Sequence, residues 1–200
     1  MNSIIITATI NSTPAVSYTD TGLAIANCKL AIGDMKHLKL TAFGKLAESL
    51  KLKVGTHVLI TGRLQEDMTL VADSIQPIPE SVKLNRITLV GRTGKDTTIR
   101  YFESGKSVAE TSLAVNRNKE TTDWFKVTFW DKEAEVAYNY CPKGKQIGVT
   151  GRLNVDVWND KQTGELRVKP VVVVERLELL GGKPATTASV ENSNDEYVRF

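Results

Sequence analysis

Two stretches of this chain repeat each other in the same order. Asn2-Ser3-Ile4 recurs as Asn85-Arg86-Ile87 and Tyr18 as Tyr101, both 83 residues on. Gly22, Ala26 and Leu30-Ala31 recur as Gly105, Ala109 and Leu113-Ala114 at the same spacing. Leu38-Lys39-Leu40-Thr41 then recurs as Phe125-Lys126-Val127-Thr128 at 87, and Thr61-Gly62-Arg63-Leu64 as Thr150-Gly151-Arg152-Leu153 at 89. An order that survives while the spacing grows slowly is the mark of a domain duplicated and then lightly inserted into. A length of 200 residues fits two such units of about 100 each.

Each copy is patterned for strands. In the second, Ile87–Arg92 is predicted to be a strand, Gly94–Gly105 a turn region, and Lys106–Val115 a strand with Ala109, Thr111, Leu113 and Val115 on one face. Asn116–Asp123 is a polar loop, and Trp124–Trp130 is the third strand. Asp131–Tyr140 holds good helix formers, with acidic residues in the first turn near the positive end of the dipole; Pro142-Lys143-Gly144 stops it. Two long strands, Gln146–Trp158 and Arg167–Leu180, join through a hairpin turn at Asn159–Gly164. The first copy follows the same plan: Ile4–Ile10, Leu23–Ile32, Leu38–Phe43, a helix over Lys45–Lys51, then Val58–Leu64 and Leu70–Gln76, with Glu66-Asp67 at the hairpin tip.

Three strands, a short helix and two strands is the order of an OB fold, a small Greek-key barrel. The expectation is an all-β chain of two tandem OB folds over 1–78 and 85–181. A linker at 79–84 follows Pro77, and a small, polar tail over 182–200 is expected to be flexible.

Trp124-Phe125-Lys126-Val127-Thr128-Phe129-Trp130 constrains function most. Alternate strand residues face opposite sides. Phe125, Val127 and Phe129 therefore make a dry face, and Trp124, Lys126, Thr128 and Trp130 the other. Large aromatics bury roughly 150–250 Å² each, so two of them on a wet face call for a covering. A second protein layer, a small-molecule pocket and a single nucleic-acid strand are the candidates. The last combines base stacking on aromatic rings with phosphate contacts to Lys and Arg. Trp158 and Arg152 share the outer face of their own strand in the same way.

Composition narrows the classes. With 26 Lys and Arg against 23 Asp and Glu the net charge is only +3, so charge alone does not point to nucleic acid. No apolar run approaches the ~20 residues of a membrane span, and Met1-Asn2-Ser3-Ile4-Ile5-Ile6 does not read as a signal peptide. Cys28, Cys141, His37 and His57 form neither a disulfide framework nor a metal set, so no metal and no cofactor are expected. No Gly-rich phosphate loop or Ser/His/Asp arrangement is present, and an enzyme is not expected. A cytoplasmic, nucleoid-associated location is expected, with a plastid or viral origin left open.

The second copy resembles bacterial-type single-stranded DNA-binding proteins. The likeness runs through Asn85-Arg86-Ile87-Thr88-Leu89-Val90-Gly91, Ile99-Arg100-Tyr101 with Gly105, and Asp123-Trp124-Phe125. It continues in Glu133-Ala134-Glu135 with Tyr140, Gly151-Arg152-Leu153, and Val157-Trp158-Asn159-Asp160 with Gly164. The resemblance implies base stacking at Trp124, Trp130 and Trp158, and a DNA path along Arg100, Lys126 and Arg152. Tyr101 and Arg92 are further candidates. It also implies non-specific protection of single-stranded DNA in replication, recombination and repair, and a homodimer carrying four OB folds. The chain ends Tyr197-Val198-Arg199-Phe200, which keeps the family's final Phe but sets Arg199 beside it; repair proteins are the partners such a tail implies.

In the first copy the matching outer face carries His37, Lys39, Thr41 and Phe43, with Arg63 beside them. Phe43 stands where Trp130 does, and His37 replaces Trp124. This copy is expected to bind DNA weakly or to serve mainly in assembly. Two rival readings are a replication-restart module working through protein contacts and an RNA-binding OB protein, since stacking alone does not separate DNA from RNA. Nothing resembles a recognition helix for duplex DNA.

Overall fold

The computed structural model describes residues 1–33 and 35–181, with only the backbone of 35–37; the predicted tail and the side chain of His37 lie outside the described residues. The first half runs β1 (Asn2–Ile10), β2 (Ala15–Tyr18), β3 (Ala24–Ile32), β4 (Met35–Phe43), α1 (Gly44–Ser49), β5 (His57–Leu64) and β6 (Thr69–Pro77). The second runs β7 (Asn85–Thr93), β8 (Thr98–Tyr101), β9 (Ser107–Asn116), β10 (Thr122–Trp130), α2 (Asp131–Tyr140), β11 (Gln146–Asn159) and β12 (Leu166–Leu179).

Strand pairing closes a ring in each half. In the first it passes β1–β3–β4–β6–β5 and back to β1, with only β4–β6 parallel. In the second it passes β7–β9–β10–β12–β11 and back to β7, with only β10–β12 parallel. Alternation fills each ring: Ile4, Ile6, Leu38, Leu40, Ile60 and Leu70 are fully buried in one, and Phe125, Val127 and Phe129 sit in the other among Ile87, Leu89, Leu113 and Val172. The dry face of the tryptophan strand is thus core.

Two strands were not anticipated. β2 and β8 have four residues each, are mostly exposed, and add to the outer edges of the sheet. At four residues each they are too short for alternation to mark them, and β8 falls inside the predicted turn Gly94–Gly105. Thr128 also differs from its predicted place on a wet face. It is flanked by Glu110 in β9 and Val173 in β12, and their larger side chains leave it buried.

The repeat reappears as repeated local devices. Asn2 hydrogen-bonds both ways with the Leu64 backbone, Nδ2 donating at 2.6 Å and Oδ1 accepting at 3.2 Å. Asn85 does the same with Leu153 at 2.9 and 2.9 Å. Each half has a β-bulge, at Gly62 opposite Asp73 and at Gly151 opposite Glu175. A Cβ on either glycine would run into the backbone carbonyl of Val71 or Val173, so no larger residue fits. Each helix opens on a left-handed residue, Gly44 at φ 57° and Asp131 at φ 48°.

The halves join edge to edge. β1 pairs antiparallel with β7, and Ile4 lies opposite its own repeat partner Ile87. The segment between the halves is strapped down. The Leu84 carbonyl accepts from the Thr7 amide at 2.8 Å, and the Val82 carbonyl accepts from His57 Nε2 at 3.1 Å. Cys28 and Cys141 are free and buried, one per half, and burial pushes each thiol up to about 11.

Candidate nucleic-acid interface

Three tryptophans stand half-exposed on one barrel: Trp124 at 49%, Trp130 at 42% and Trp158 at 41%. Each has a support. The Trp124 ring lies over Gly94, where any side chain would collide with it. Trp130 stacks with Phe102, centroids 6.3 Å apart and planes 14° apart. Trp158 lies near the end of β11, opposite Arg167 in the hairpin. That hairpin is tied at its tip. The Gln162 and Thr163 amides donate to Asp160 Oδ1 at 2.9 and 3.2 Å, which holds its carboxyl below the usual range.

Phe102 was missed in the sequence. It sits in the turn after β8, and nothing in the local pattern marks it as the neighbour of Trp130. Tyr101, beside it, is 68% exposed and so available to a ligand. Phe43, the first-half counterpart of Trp130, is also exposed; both residues immediately precede a helix with extended backbone.

The cations divide into two kinds. Lys126 lies between Trp124 and Trp130 but is gripped by Glu110 at 3.1 Å and Asp156 at 3.0 Å. Partial burial pulls its pKa down, the bonds to Asp156 and Glu110 outweigh this, and it stands above the ordinary lysine value. Arg152 pairs with Glu175 at 2.8 Å and Arg63 with Asp73 at 3.6 Å, each arginine meeting the extra residue of its bulge. These pairs are largely exposed, and exposed pairs contribute only about 0–1 kcal/mol, so an incoming phosphate competes for them at small cost.

The second kind has no ion pair among the described residues. Arg92 donates to the Gly144 carbonyl at 3.1 Å, and Arg100 is exposed. Lys39 lies directly opposite Lys29 across β3–β4, with both side chains exposed.

A second cluster lies at the seam between the halves. β12 pairs with β10 only over Lys126–Thr128, so the Trp124 amide lies beyond that ladder. Glu66 Oε2 in the first half accepts it at 2.9 Å, and Asp123 Oδ1 accepts the Glu66 amide at 3.2 Å. Asp123 is only 1% exposed, and its charge is answered by two bonds from Arg117. Those bonds raise the Arg117 pKa against the pull of partial burial. Beside this cluster a hollow of about 350 Å³ is lined by Phe43, Arg63, Asn116 and Arg117. The structure thus brings Phe43 and Arg63 of one half next to the β10 entrance of the other. Among the described residues no group of three or more His, Cys, Asp or Glu stands where it would hold a metal, and no helix is long and apolar enough to cross a membrane.

A closed five-stranded barrel with a helix between its third and fourth strands, and aromatics with cations across its outer face, defines an OB-fold protein of the nucleic-acid-binding type. Residues 84–180 match the model of the single-strand binding protein family. The chain is 52% identical to single-stranded DNA-binding protein 1 of Nostoc sp. PCC 7120 over 104 residues, covering 51% of this chain and 87% of that one. It is 44% identical to single-stranded DNA-binding protein 1 of Synechocystis sp. PCC 6803 over 119 residues, covering 58% and 98%. The crystal structure of the wild-type single-stranded DNA-binding protein from Thermus aquaticus superposes with a TM-score of 0.70 at 26% identity, covering 92% of this chain and 95% of that one. The chain belongs to the single-strand binding protein family.

Proposed function

We propose that this protein binds single-stranded DNA through two tandem OB folds, the second being the main binding barrel. Bases stack on Trp124, Trp130 and Trp158, joined by Tyr101 and Phe102, while Lys and Arg meet the phosphates. The observation that carries this reading is that three tryptophans stand half-exposed on the outside of one barrel, Trp124 lying over Gly94 and Trp130 stacked with Phe102. The tandem arrangement is supported by two five-membered rings of paired strands and by a Thermus structure that matches over 92% of the chain. The first OB fold keeps Phe43, Lys39 and Arg63 and contributes less. Such binding keeps a strand from re-pairing during replication, recombination and repair. Two chains give four OB folds, and a homodimer is expected; light scattering at the single-chain mass of 22.0 kDa would refute it.

A tryptophan-fluorescence titration with poly-dT, with duplex DNA and poly-U as competitors, tests the binding. All three tryptophans lie in the second half, so strong quenching that duplex fails to reverse is expected. Absence of quenching would refute stacking, and equal competition by poly-U would refute a preference for DNA.

A further inference from the structure

Four of the cations near the tryptophan face are already paired. Lys126, Arg152, Arg63 and Arg117 each carry a carboxylate partner. We propose that Arg92, Lys143 and Lys145 form a seat for a backbone phosphodiester of the bound strand, two strands away from Trp124. The proposal rests on the single-stranded DNA reading above.

Four observations converge on it. First, the three cations line one hollow of about 360 Å³, shared with Gly144, Gln146 and Gly181. Second, their charge is kept. Arg92 Nη1 donates to the Gly144 carbonyl at 3.1 Å and Lys145 Nζ to the Gly181 carbonyl at 3.3 Å, so neutral oxygens hold the side chains while most of their donors stay open. Among the described residues none of the three forms an ion pair. The nearby carboxylate, Asp96, spends Oδ1 on the Lys143 backbone amide at 2.8 Å.

Third, the turn is fixed before any ligand arrives. Gly144 takes φ 82°, its amide donates to the Thr93 carbonyl at 2.7 Å, and the Lys145 amide donates to the Pro142 carbonyl at 3.1 Å. Cations on a rigid support lose little freedom on binding. Fourth, the hollow lies on the tryptophan side of the barrel. Arg92 and Trp124 both lie opposite Ala114 on β9, and directly opposed residues share a face. At 4.7–4.9 Å per strand the two stand about 10 Å apart, so a strand stacked on Trp124 reaches the cations within a nucleotide or so. A smaller hollow beside it is lined by Gly91, Arg92, Ala114, Asn116 and Gln146, and Asn116 also lines the seam hollow with Phe43.

The test is the salt dependence of oligo-dT affinity, read by tryptophan quenching, for wild type, K143A/K145A and R92A/K143A/K145A. Each phosphate contact contributes about −0.7 to the slope of log K against log salt for a single strand. With the one phosphate no longer neutralised, the triple variant should lose roughly 0.7 from that slope and bind more weakly, and the double variant should lose part of it, with the saturated quench unchanged because the tryptophans are untouched. The charge-preserving K143R/K145R should keep the wild-type slope. A triple variant with wild-type slope and affinity overturns the proposal, as does tighter binding, which would mean that the hollow serves an acidic group of the protein. Failure of wild type to quench at all would instead refute single-stranded DNA binding itself.

Discussion

The two halves of this molecule share nearly all of their hidden construction and little of their outer face. Both clamp a leucine backbone with an asparagine, bulge at a glycine, and open the helix on a left-handed residue. On the surface, β4 offers Phe43 and Lys39 where β10 offers Trp130 and Lys126. Lys39 faces Lys29, whereas Lys126 lies between Glu110 and Asp156. Closure of a barrel tolerates few changes at a bulge, while an outer face answers only to its ligand.

The comparison breaks first, and hardest, at the tryptophans. Losing two stacking rings at about 1–3 kcal/mol each should weaken oligo-dT binding by W124A/W158A roughly 30- to 10⁴-fold. F43A should cost far less, no more than about tenfold. Anisotropy with labelled oligo-dT measures both, and equal losses would mean that the halves bind alike.

The shared construction predicts equality instead. G62A and G151A each press a methyl into a carbonyl oxygen, and overpacking of this kind costs about 1–3 kcal/mol or more. Both should lower the midpoint of thermal unfolding by similar amounts; a silent G62A would show the first ring to be the looser one.

The two thiols sharpen the comparison through pH. Each is held protonated in the fold up to about 11, against 9.0 for a free thiol. The unfolded chain therefore releases these protons first as pH rises. Stability from the thiols is intact below pH 9.0 and is lost between there and about 11, at about 1.4 kcal/mol per unit for each. Urea unfolding of C28A and C141A should show a flatter alkaline loss in each case. A steeper loss in either would contradict burial as the cause.

The smallest effect lies at Lys29. Like charges directly opposite on a sheet are destabilising, so K29E should stabilise the fold by about 0.2–1 kcal/mol through attraction to Lys39. Calorimetry showing a loss would mean that the two ammonium groups avoid each other.

Much of this was legible in the sequence. The repeat and the alternation in Ile4–Ile10 and Trp124–Trp130 announce two similar β units, because burial imposes period two wherever one face is dry. What was not legible is whatever depends on register between distant strands. Glu110, Asp156 and Glu175 neutralise Lys126 and Arg152 through pairings far apart in the chain. Phe102 meets Trp130 only because β8 folds over the edge of β9. Glu66, noted as a hairpin tip, gives no local sign that it holds the amide of Trp124.

That last bond, together with the β1–β7 ladder, carries a consequence about dilution. A contact between separate polypeptides weakens as protein becomes scarce, but one between segments of a single polypeptide sees a fixed effective concentration. The carboxylate steadying the Trp124 backbone travels with it on the same chain. The seam therefore stays made however few copies are present, and the Trp124 platform keeps its support at the lowest concentration.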